Sequence, residues 1–222
     1  MKIGLIHGSS QKDKNEVLYE ILKRIANGHE IVNFGCFPNE EGNYSYLDFA
    51  LQIFFLINTH IVDFVITGCS SGQGMMLACN SFPGIFCGYC NSPQDAFLFG
   101  RINNGNVMSL PLGLNYGWCG EINIEYIISG LFKGEFGIGY PAKDAERKVR
   151  DTETLKRLNL ISKIDGLMLL DKLDSSILVK LFQRKDFIKY ILLNGKNKQI
   201  QDWLIERGKI YGYSNDEKEI KV

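Results

Sequence analysis

The sequence lacks most of the features that would place a protein in a specialised class. Its 25 Lys and Arg residues are balanced by 25 Asp and Glu residues, so no excess of basic charge indicates a nucleic-acid partner. No apolar run approaches the length of a membrane span, and the sequence has no internal repeat or low-complexity segment. Residues 1–6 are too short for a secretory leader and predict a first strand instead. The composition therefore favours an ordinary globular protein that binds neither nucleic acid nor membrane.

The six cysteines lack the spacing of a disulfide framework. Unpatterned cysteines in a chain of this size indicate reduced thiols, so we expect a cytoplasmic protein. Cys87 and Cys90 form a CxxC pair, but a redox or metal site would need the pair to open a helix or to have a second pair of ligands. Neither feature is visible, so we predict a structural role for the pair and expect no metal site.

Short apolar strands alternate with helical patterns over residues 1–143. The strands are predicted at 2–6, 29–34, 64–67, 85–87 and 107–110. The helices between and after them are predicted at 12–26, 46–58, 75–80, 93–102 and 117–131. This alternation predicts an α/β fold, a Rossmann-like doubly wound parallel sheet of five strands. Ligands of such sheets bind at the carboxyl ends of the strands, where the strand order reverses.

The character of the chain changes after residue 143. Residues 144–222 are charged and rich in Leu, Ile and Lys, and helices are predicted at 152–164, 175–187 and 199–207. The last residues, 215–222, are predicted to be frayed. We therefore divide the chain into an α/β domain at 1–143 and a helical C-terminal extension at 144–222. The extension is expected to pack on the sheet or on a second subunit.

The most informative stretch is the glycine-rich turn after the predicted strand at 64–67. Its sequence is Gly68-Cys69-Ser70-Ser71-Gly72-Gln73-Gly74, and a helix follows. Free backbone N–H groups and the helix dipole favour an anion at such a turn. A cysteine there can serve as a thiolate base or nucleophile. Spacing alone leaves open the alternative of an ordinary strand-to-helix turn with a half-buried structural cysteine.

The turn and the residues after it resemble the ribose-5-phosphate isomerase B and galactose-6-phosphate isomerase family. That family has a C-G-T-G-x-G turn followed by an apolar helix that ends A-N-K-x-P-G-I. Here the matching residues are Cys69-Ser70-Ser71-Gly72-Gln73-Gly74 and then Cys79-Asn80-Ser81-Phe82-Pro83-Gly84-Ile85. Asn103-Asn104-Gly105-Asn106-Val107 falls where the family has H-N-D-x-N-V. The resemblance covers about the first two-thirds of the chain, and several motifs match at consistent spacing.

The resemblance implies an aldose–ketose isomerase that acts on a pentose or hexose phosphate, or on a related sugar, through an enediolate. No metal or organic cofactor is required on this route. Cys69 would abstract the proton, and Ser71, in the family's threonine position, would assist by a hydrogen bond. Backbone N–H groups of the turn would hold the oxyanion. The substrate-binding residues implied or predicted are Ser10, Tyr46, Ser70, Gly72, Gln73, Gly74, Asn103, Asn106 and Arg147.

The chain departs from the family pattern at ring opening and at phosphate binding. The Asp-His pair after the first strand is absent, and the ring-opening histidine is replaced by Ile102. His7 is the predicted replacement acid or base, with a hydrogen-bonded structural histidine as the alternative. The arginine after the fifth strand is missing. The phosphate-binding arginines near the end of the family's core are replaced by a longer loop, where the candidate substitutes are Lys143, Arg147, Lys148 and Arg150. For Arg147 and Lys148 the alternative is a solvated helix face. Asn103 and Asn106 have a second interpretation as helix-stop and turn residues.

Two functions from different classes remain open. The first is a homodimeric or homotetrameric isomerase whose sites take residues from two chains, as the resemblance implies. The second is a non-catalytic sugar-phosphate-binding module, or the partner subunit of a hetero-oligomeric isomerase. A third interpretation, a flavodoxin-like nucleotide binder, lacks support because the turn at Cys69 does not have the G-x-G-x-x-G spacing.

Overall fold

The computed structural model describes residues 1–114 and 116–213. The tail predicted to fray at 215–222 lies outside these residues. Five strands form one all-parallel sheet in the order β2-β1-β3-β5-β4, which confirms the predicted fold. Because the order reverses between β1 and β3, a crevice is expected at their carboxyl ends. The strands are β1 Lys2–Leu5, β2 Glu30–Asn33, β3 Phe64–Cys69, β4 Cys87–Tyr89 and β5 Val107–Pro111.

Five helices belong to the α/β unit. Three of them begin away from the predicted positions: a 3-10 turn at Ser9–Lys14 delays the first helix, the third begins at Gln73, two residues early, and the fifth begins at Gly120, three residues late. A π-helical turn, Phe99–Asn103, continues the fourth helix to the point where the sequence pattern ends it. The helices are α1 Asn15–Ile25, α2 Tyr46–Asn58, α3 Gln73–Asn80, α4 Pro93–Leu98 and α5 Gly120–Phe132.

The sheet has a hydrophobic core on each face. Leu18 and Leu22 of α1 and Ile127 of α5 belong to the core on one face. On the other face, every residue of α2 from Asp48 to Leu56 is buried. A helix that is buried all round needs cover on its outer side as well as on the sheet side, and the C-terminal extension supplies that cover.

The described part of the extension, up to residue 213, contains five helices, which confirms its predicted helical character. The single helix expected at 175–187 is two helices because Arg184, with φ −87° and ψ 68°, leaves the helical conformation between them. The structure adds α7, which the sequence pattern did not predict. The helices are α6 Ala145–Ser162, α7 Gly166–Asp171, α8 Ser175–Gln183, α9 Lys185–Asn194 and α10 Lys198–Ile210.

Helices α8 and α10 of the extension share a core with α2. Phe182 of α8 and Trp203 and Leu204 of α10 lie in the same core as Phe54 and Phe55 of α2. The division at residue 143 stays a prediction. Among the described residues, no helix has both the length and the apolar character that crossing a membrane requires.

Candidate active site

The turns after β1 and β3 meet at the carboxyl edge of the sheet, at the point where the strand order reverses. The N–H of Gly8 donates to the carbonyl of Gly68 at 2.8 Å. A Cβ on Gly8 would lie 3.4 Å from the Cβ of Cys69, so the two turns are in van der Waals contact. The structure therefore places Cys69 in the position where doubly wound sheets bind ligands.

The sulfur of Cys69 lies at the amino end of α3. The backbone N–H of Gly72 donates to Sγ at 3.2 Å, and α3 begins at the next residue, Gln73. Both the donated hydrogen bond and the helix dipole stabilise negative charge on sulfur. Cys69 is half-buried at this edge of the sheet. This geometry suits a thiolate that removes a proton from carbon.

Position 72 gives the turn its shape and accommodates only glycine. Its φ is +76°, in the left-handed region, and its carbonyl accepts a hydrogen bond from the buried Ser109 hydroxyl at 2.7 Å. A Cβ at this position would lie 2.8 Å from the Leu110 carbonyl and 2.8 Å from the Tyr89 ring. The chain therefore depends on Gly72 to aim its N–H at Cys69.

Ser70 joins the turn to the segment after β1. Its hydroxyl lies 3.2 Å from the Ser10 hydroxyl and accepts a hydrogen bond from Gln11 Nε2 at 2.9 Å. The structure thus brings together two of the predicted substrate-binding residues, Ser10 and Ser70. Lys14, which the sequence analysis missed, donates to Gln11 Oε1 at 2.9 Å and lies 5.0 Å from the centre of the Tyr116 ring.

Tyr46, the first residue of α2, also lies at this turn. Its ring would lie 3.6 Å from a Cβ built on Gly74, and the side chain is 43% exposed. The phenol is therefore available to a ligand beside the turn. Tyr89, at the carboxyl end of β4, packs against Gly72 from the other side; burial raises the pKa of Tyr89, and charge on Asp95 and Cys69 adds to the rise.

His7 lies behind this edge and not in the open crevice. The ring is fully buried, Nδ1 lies 3.3 Å from the Gly8 carbonyl, and Nε2 lies 3.0 Å from the Asn15 amide nitrogen. The neutral tautomer with hydrogen on Nδ1 satisfies both contacts. Burial lowers the pKa of His7 to about 4, against an ordinary value of 6.5. These contacts match the alternative of a hydrogen-bonded structural histidine. The catalytic role of His7 stays a prediction.

The burial of His7 predicts an acid-sensitive fold. Because the folded protein resists protonation of His7 while the unfolded chain does not, stability is lost as pH falls from 6.5 towards 4. We expect a loss of up to about 3 kcal/mol in the free energy of unfolding across that window. Urea unfolding at pH 7.0 and 4.5 should show it in the wild type. The loss should shrink in His7→Gln and persist in a control, His60→Asn, at an exposed position. Equal losses in all three proteins would contradict the assignment.

Two other predicted residues, Asn103 and Asn106, lie at the opposite edge of the sheet in this chain. Cys69 pairs with Pro111, and Asn106 precedes Pro111 by five residues, which places it about 16 Å away along the strand direction. The Asn106 side chain bonds to the backbone of Gly84 and Phe86, and Asn103 is exposed nearby.

Arg147 is also remote from the turn at Cys69. It forms an exposed ion pair with Asp151 on the same helix, α6. Five residues along that helix, Thr152 donates to the carbonyl of Ile102 at 2.7 Å, so this part of α6 lies towards the amino edge of the sheet. One chain therefore does not bring Arg147, Asn103 or Asn106 to the turn that contains Cys69.

The CxxC pair has the surroundings of structural thiols. Cys87 and Cys90 are buried, and burial raises the pKa of both, that of Cys90 to about 12. High pKa values hold both thiols in the protonated form, which is a poor nucleophile and a poor metal ligand. In the described part of the chain, no group of three or more His, Cys, Asp or Glu residues is arranged to hold a metal ion.

Comparison with known proteins identifies the relatives of this chain. A family model described as Ribose/Galactose Isomerase matches residues 3–124. Ribose-5-phosphate isomerase B of Escherichia coli (strain K12) is 29% identical over 96 residues, which are 43% of this chain and 61% of the E. coli protein. The match thus spans less than two-thirds of the length of that curated relative.

Two solved structures resemble the chain over nearly its whole length. A 4-deoxy-L-threo-5-hexosulose-uronate ketol-isomerase, in complex with a tartrate, is 39% identical with a TM-score of 0.88, and the match covers 93% of this chain and 98% of that one. A ribose-5-phosphate isomerase from Vibrio parahaemolyticus is 33% identical with a TM-score of 0.86, covering 92% and 97%. The relatives named here are sugar isomerases, and coverage of this extent includes most of the C-terminal extension. With a family model over more than half of its length and two such structural relatives, the chain belongs to the ribose/galactose isomerase family.

Proposed function

We propose that this protein is an aldose–ketose isomerase in which Cys69 is the catalytic base. One observation carries the proposal: the Cys69 sulfur accepts the Gly72 N–H at 3.2 Å, at the start of α3 and at the reversal point of the sheet. This arrangement stabilises a thiolate at the place where a ligand enters. The family relationship supports the reaction class.

The reaction is redox-neutral overall and proceeds by proton transfer. The Cys69 thiolate removes the proton from C2 of the open-chain aldose, and the electron pair of the C–H bond forms the enediolate. The first N–H groups of α3, at Gln73 and Gly74, have no acceptors within the helix and stabilise the negative oxygen. Ser71 assists by a hydrogen bond. The proton of the O2 hydroxyl passes to O1, Cys69 returns the abstracted proton to C1, and the carbonyl group then stands at C2 of the ketose that leaves.

The substrate is proposed to react from its open-chain form. Ile102 replaces the ring-opening histidine that the resemblance leads us to expect, and a side chain of this type cannot transfer a proton. His7, the predicted replacement, is buried and neutral with both ring nitrogens in contact with protein groups. The groups described at the Cys69 turn can therefore carry out proton transfer. They do not include a histidine that could open a sugar ring. Sugars with a large open-chain fraction fit this site best.

An acidic group on the substrate is proposed to lie towards Lys14. The Lys14 side chain is only 16% exposed and pairs with the exposed Asp13 at 3.1 Å. It also reaches Ser70 through Gln11 at the carboxyl edge of the sheet. One of the structurally similar proteins is a ketol-isomerase named for a uronate, and a uronate carries an acidic carboxylate group. We therefore place sugar acids beside sugar phosphates as candidate substrates.

A second copy of the chain is proposed to complete the site. Asn103 and Arg147 lie at the amino edge of their own sheet, so only the Cys69 turn of another copy could receive them. The resemblance implies a homodimer or homotetramer with shared sites, and this placement fits such an assembly. Arg147 would then add positive charge for the acidic group.

The proposed function is tested by incubating the wild-type protein with a panel of open-chain and cyclic sugars. The panel includes pentose and hexose phosphates and 4-deoxy-L-threo-5-hexosulose uronate, and NMR follows the appearance of the isomer. We expect turnover of at least one acidic sugar. Thermal stabilisation by an acidic sugar without turnover of any panel member would favour the binding-module alternative and contradict the proposal.

Replacement of Lys14 by methionine tests the position of the acidic group. Because Lys14→Met keeps the length of the side chain and removes its charge, we expect KM to rise by about tenfold with kcat little changed. Steady-state kinetics with the substrate found in the panel measures both. Lys23→Met removes a lysine that is paired with Glu20 on α1 and should leave KM unchanged. An unchanged KM in Lys14→Met would show that Lys14 does not bind the acidic group of the substrate.

A further inference from the structure

The loop between β2 and α2 connects the C-terminal extension to the Cys69 turn. This loop, residues 34–45, is bonded on one side to the segment after β1. The carbonyl of Gly35 accepts the N–H of His7 at 3.0 Å, and the carbonyl of Glu40 accepts Lys12 Nζ at 3.0 Å. The carbonyl of Tyr44 accepts the Ser9 hydroxyl at 2.6 Å. The loop then leads directly into α2.

Arg184 of the extension holds the middle of this loop from the other side. Its Nε donates to Glu40 Oε1 at 2.7 Å, and one terminal nitrogen donates to Glu40 Oε2 at 3.2 Å and to the Phe34 carbonyl at 2.7 Å. The side chain is only 8% exposed, and its guanidinium lies over the rings of Tyr44 and Phe187. A bidentate, largely desolvated pair of this kind is strong and fixes geometry as well as distance.

Lys180, one helical turn before Arg184, holds the end of the same loop. Its Nζ donates to the Asn43 carbonyl at 3.3 Å and to Asp48 Oδ2 at 3.2 Å. The Asp48 carboxylate also accepts the N–H and the hydroxyl of Ser45, which completes a capping box at the start of α2. Lys180 thus reaches the cap immediately before Tyr46, the residue that lies beside Gly74.

The loop borders a cavity where it faces the extension. This cavity has a volume of about 800 Å³, and Phe37, Glu40 and Gly42 of the loop line it together with Arg184 and Tyr190. Phe34, Cys36 and Tyr44 anchor the loop in the core, whereas Phe37 between them is exposed. The polar contacts of Arg184 and Lys180 therefore contribute to holding the stretch that borders the cavity.

We propose that Arg184 and Lys180 are positioning residues, through which the C-terminal extension holds the β2–α2 loop and the start of α2 so that Tyr46 lies at the Cys69 turn. Neither cation touches the turn itself, and both act through the loop. The effect on catalysis rests on the proposed function, whereas the effect on the loop does not. The extension would then complete a substrate-contacting part of the α/β unit.

The test uses the full-length variants Arg184→Met and Lys180→Met, with Arg207→Met as the matched control. Arg207 belongs to the same extension and pairs with Asp171, which is not in the loop. Hydrogen exchange followed by mass spectrometry compares peptides from 34–46 with peptides from α10. We expect loop exchange to rise by about tenfold in the two positioning variants while α10 is unchanged. KM should rise by about tenfold with kcat within about threefold of the wild type.

Each outcome decides the proposal. Unchanged loop exchange in both positioning variants would overturn it, and so would equal acceleration in Arg207→Met. Faster loop exchange with unchanged KM and kcat would show a purely structural role and would also overturn it. If Arg184→Met does not fold, Lys180→Met, at a side chain that is 40% exposed, gives the same test. Should the wild type isomerise no sugar, the proposed function fails, while the exchange data still decide whether the cations hold the loop.

Discussion

Serine at position 69 is expected to remove isomerase activity and to leave the fold intact. The replacement keeps the size and the hydrogen-bonding capacity of the side chain but substitutes a group that does not ionise near neutral pH. A positioned base contributes about 10²- to 10⁴-fold to the rate of proton transfer, so kcat should fall by about that factor in Cys69→Ser. Steady-state kinetics with the substrate found in the panel measures the fall.

The control for this replacement is Cys119→Ser. Cys119 is the other half-buried free thiol among the described residues, and it immediately precedes α5. We expect wild-type kcat and KM in that variant. Circular dichroism and the thermal midpoint should match the wild type in both variants, because neither thiol is part of a disulfide. Turnover in Cys69→Ser within a few-fold of the wild type would exclude Cys69 as the base.

Alanine at position 72 is expected to damage both the fold and the site. Gly72 has φ +76°, and the added methyl group would lie 2.8 Å from the backbone of Leu110. Left-handed backbone and overpacking each cost about 1–2 kcal/mol, so Gly72→Ala should lose about 3 kcal/mol in the free energy of unfolding. Relief of the clash would move the N–H of residue 72 away from Cys69 Sγ. We therefore expect kcat to fall even under conditions in which the variant is fully folded. Urea unfolding and steady-state kinetics measure the two effects.

Gly28→Ala separates the two sources of that cost. Gly28 has φ +89°, but a Cβ there would meet nothing within 4 Å. Its replacement should therefore lower the free energy of unfolding only by the cost of the left-handed backbone, about 1–2 kcal/mol, and should leave kcat and KM unchanged. Equal stability losses in Gly72→Ala and Gly28→Ala, with full activity in both, would show that the turn at Cys69 tolerates displacement.

The fold was predictable because its elements are locally encoded. Apolar β-branched runs such as 64–67 gave all five strands and their parallel arrangement. The break at Arg184 was not predictable, because the helical pattern continues through it and only contacts with Glu40 and Phe34 explain why the chain turns there. The 3-10 turn at Ser9–Lys14 is likewise held by non-local bonds, such as that of Gln11 to Ser70.

The candidate site was predictable where one turn supplies its groups. The turn with Cys69 and Gly72 follows from the sequence of a single segment, although α3 begins at Gln73 and not at the predicted residue 75. The state of His7 depends on Asn15 and on burial, which no local pattern contains. The placement of Asn103 and Asn106 follows from the parallel topology, since residues before a strand lie at the edge opposite those after a strand. Lys14 and Tyr89 were missed because their contacts with the turn are tertiary.

Cys69 is proposed to remove a proton from the substrate carbon, and exchange of that proton with solvent tests this role directly. NMR in D₂O of the wild type and Cys69→Ser, with each sugar of the panel, follows the incorporation of solvent deuterium at C1 and C2. We expect deuterium at one of these carbons in the sugar that the wild type isomerises, and none with Cys69→Ser. Incorporation at the wild-type rate in Cys69→Ser, or no incorporation into any sugar by the wild type, would contradict the claim.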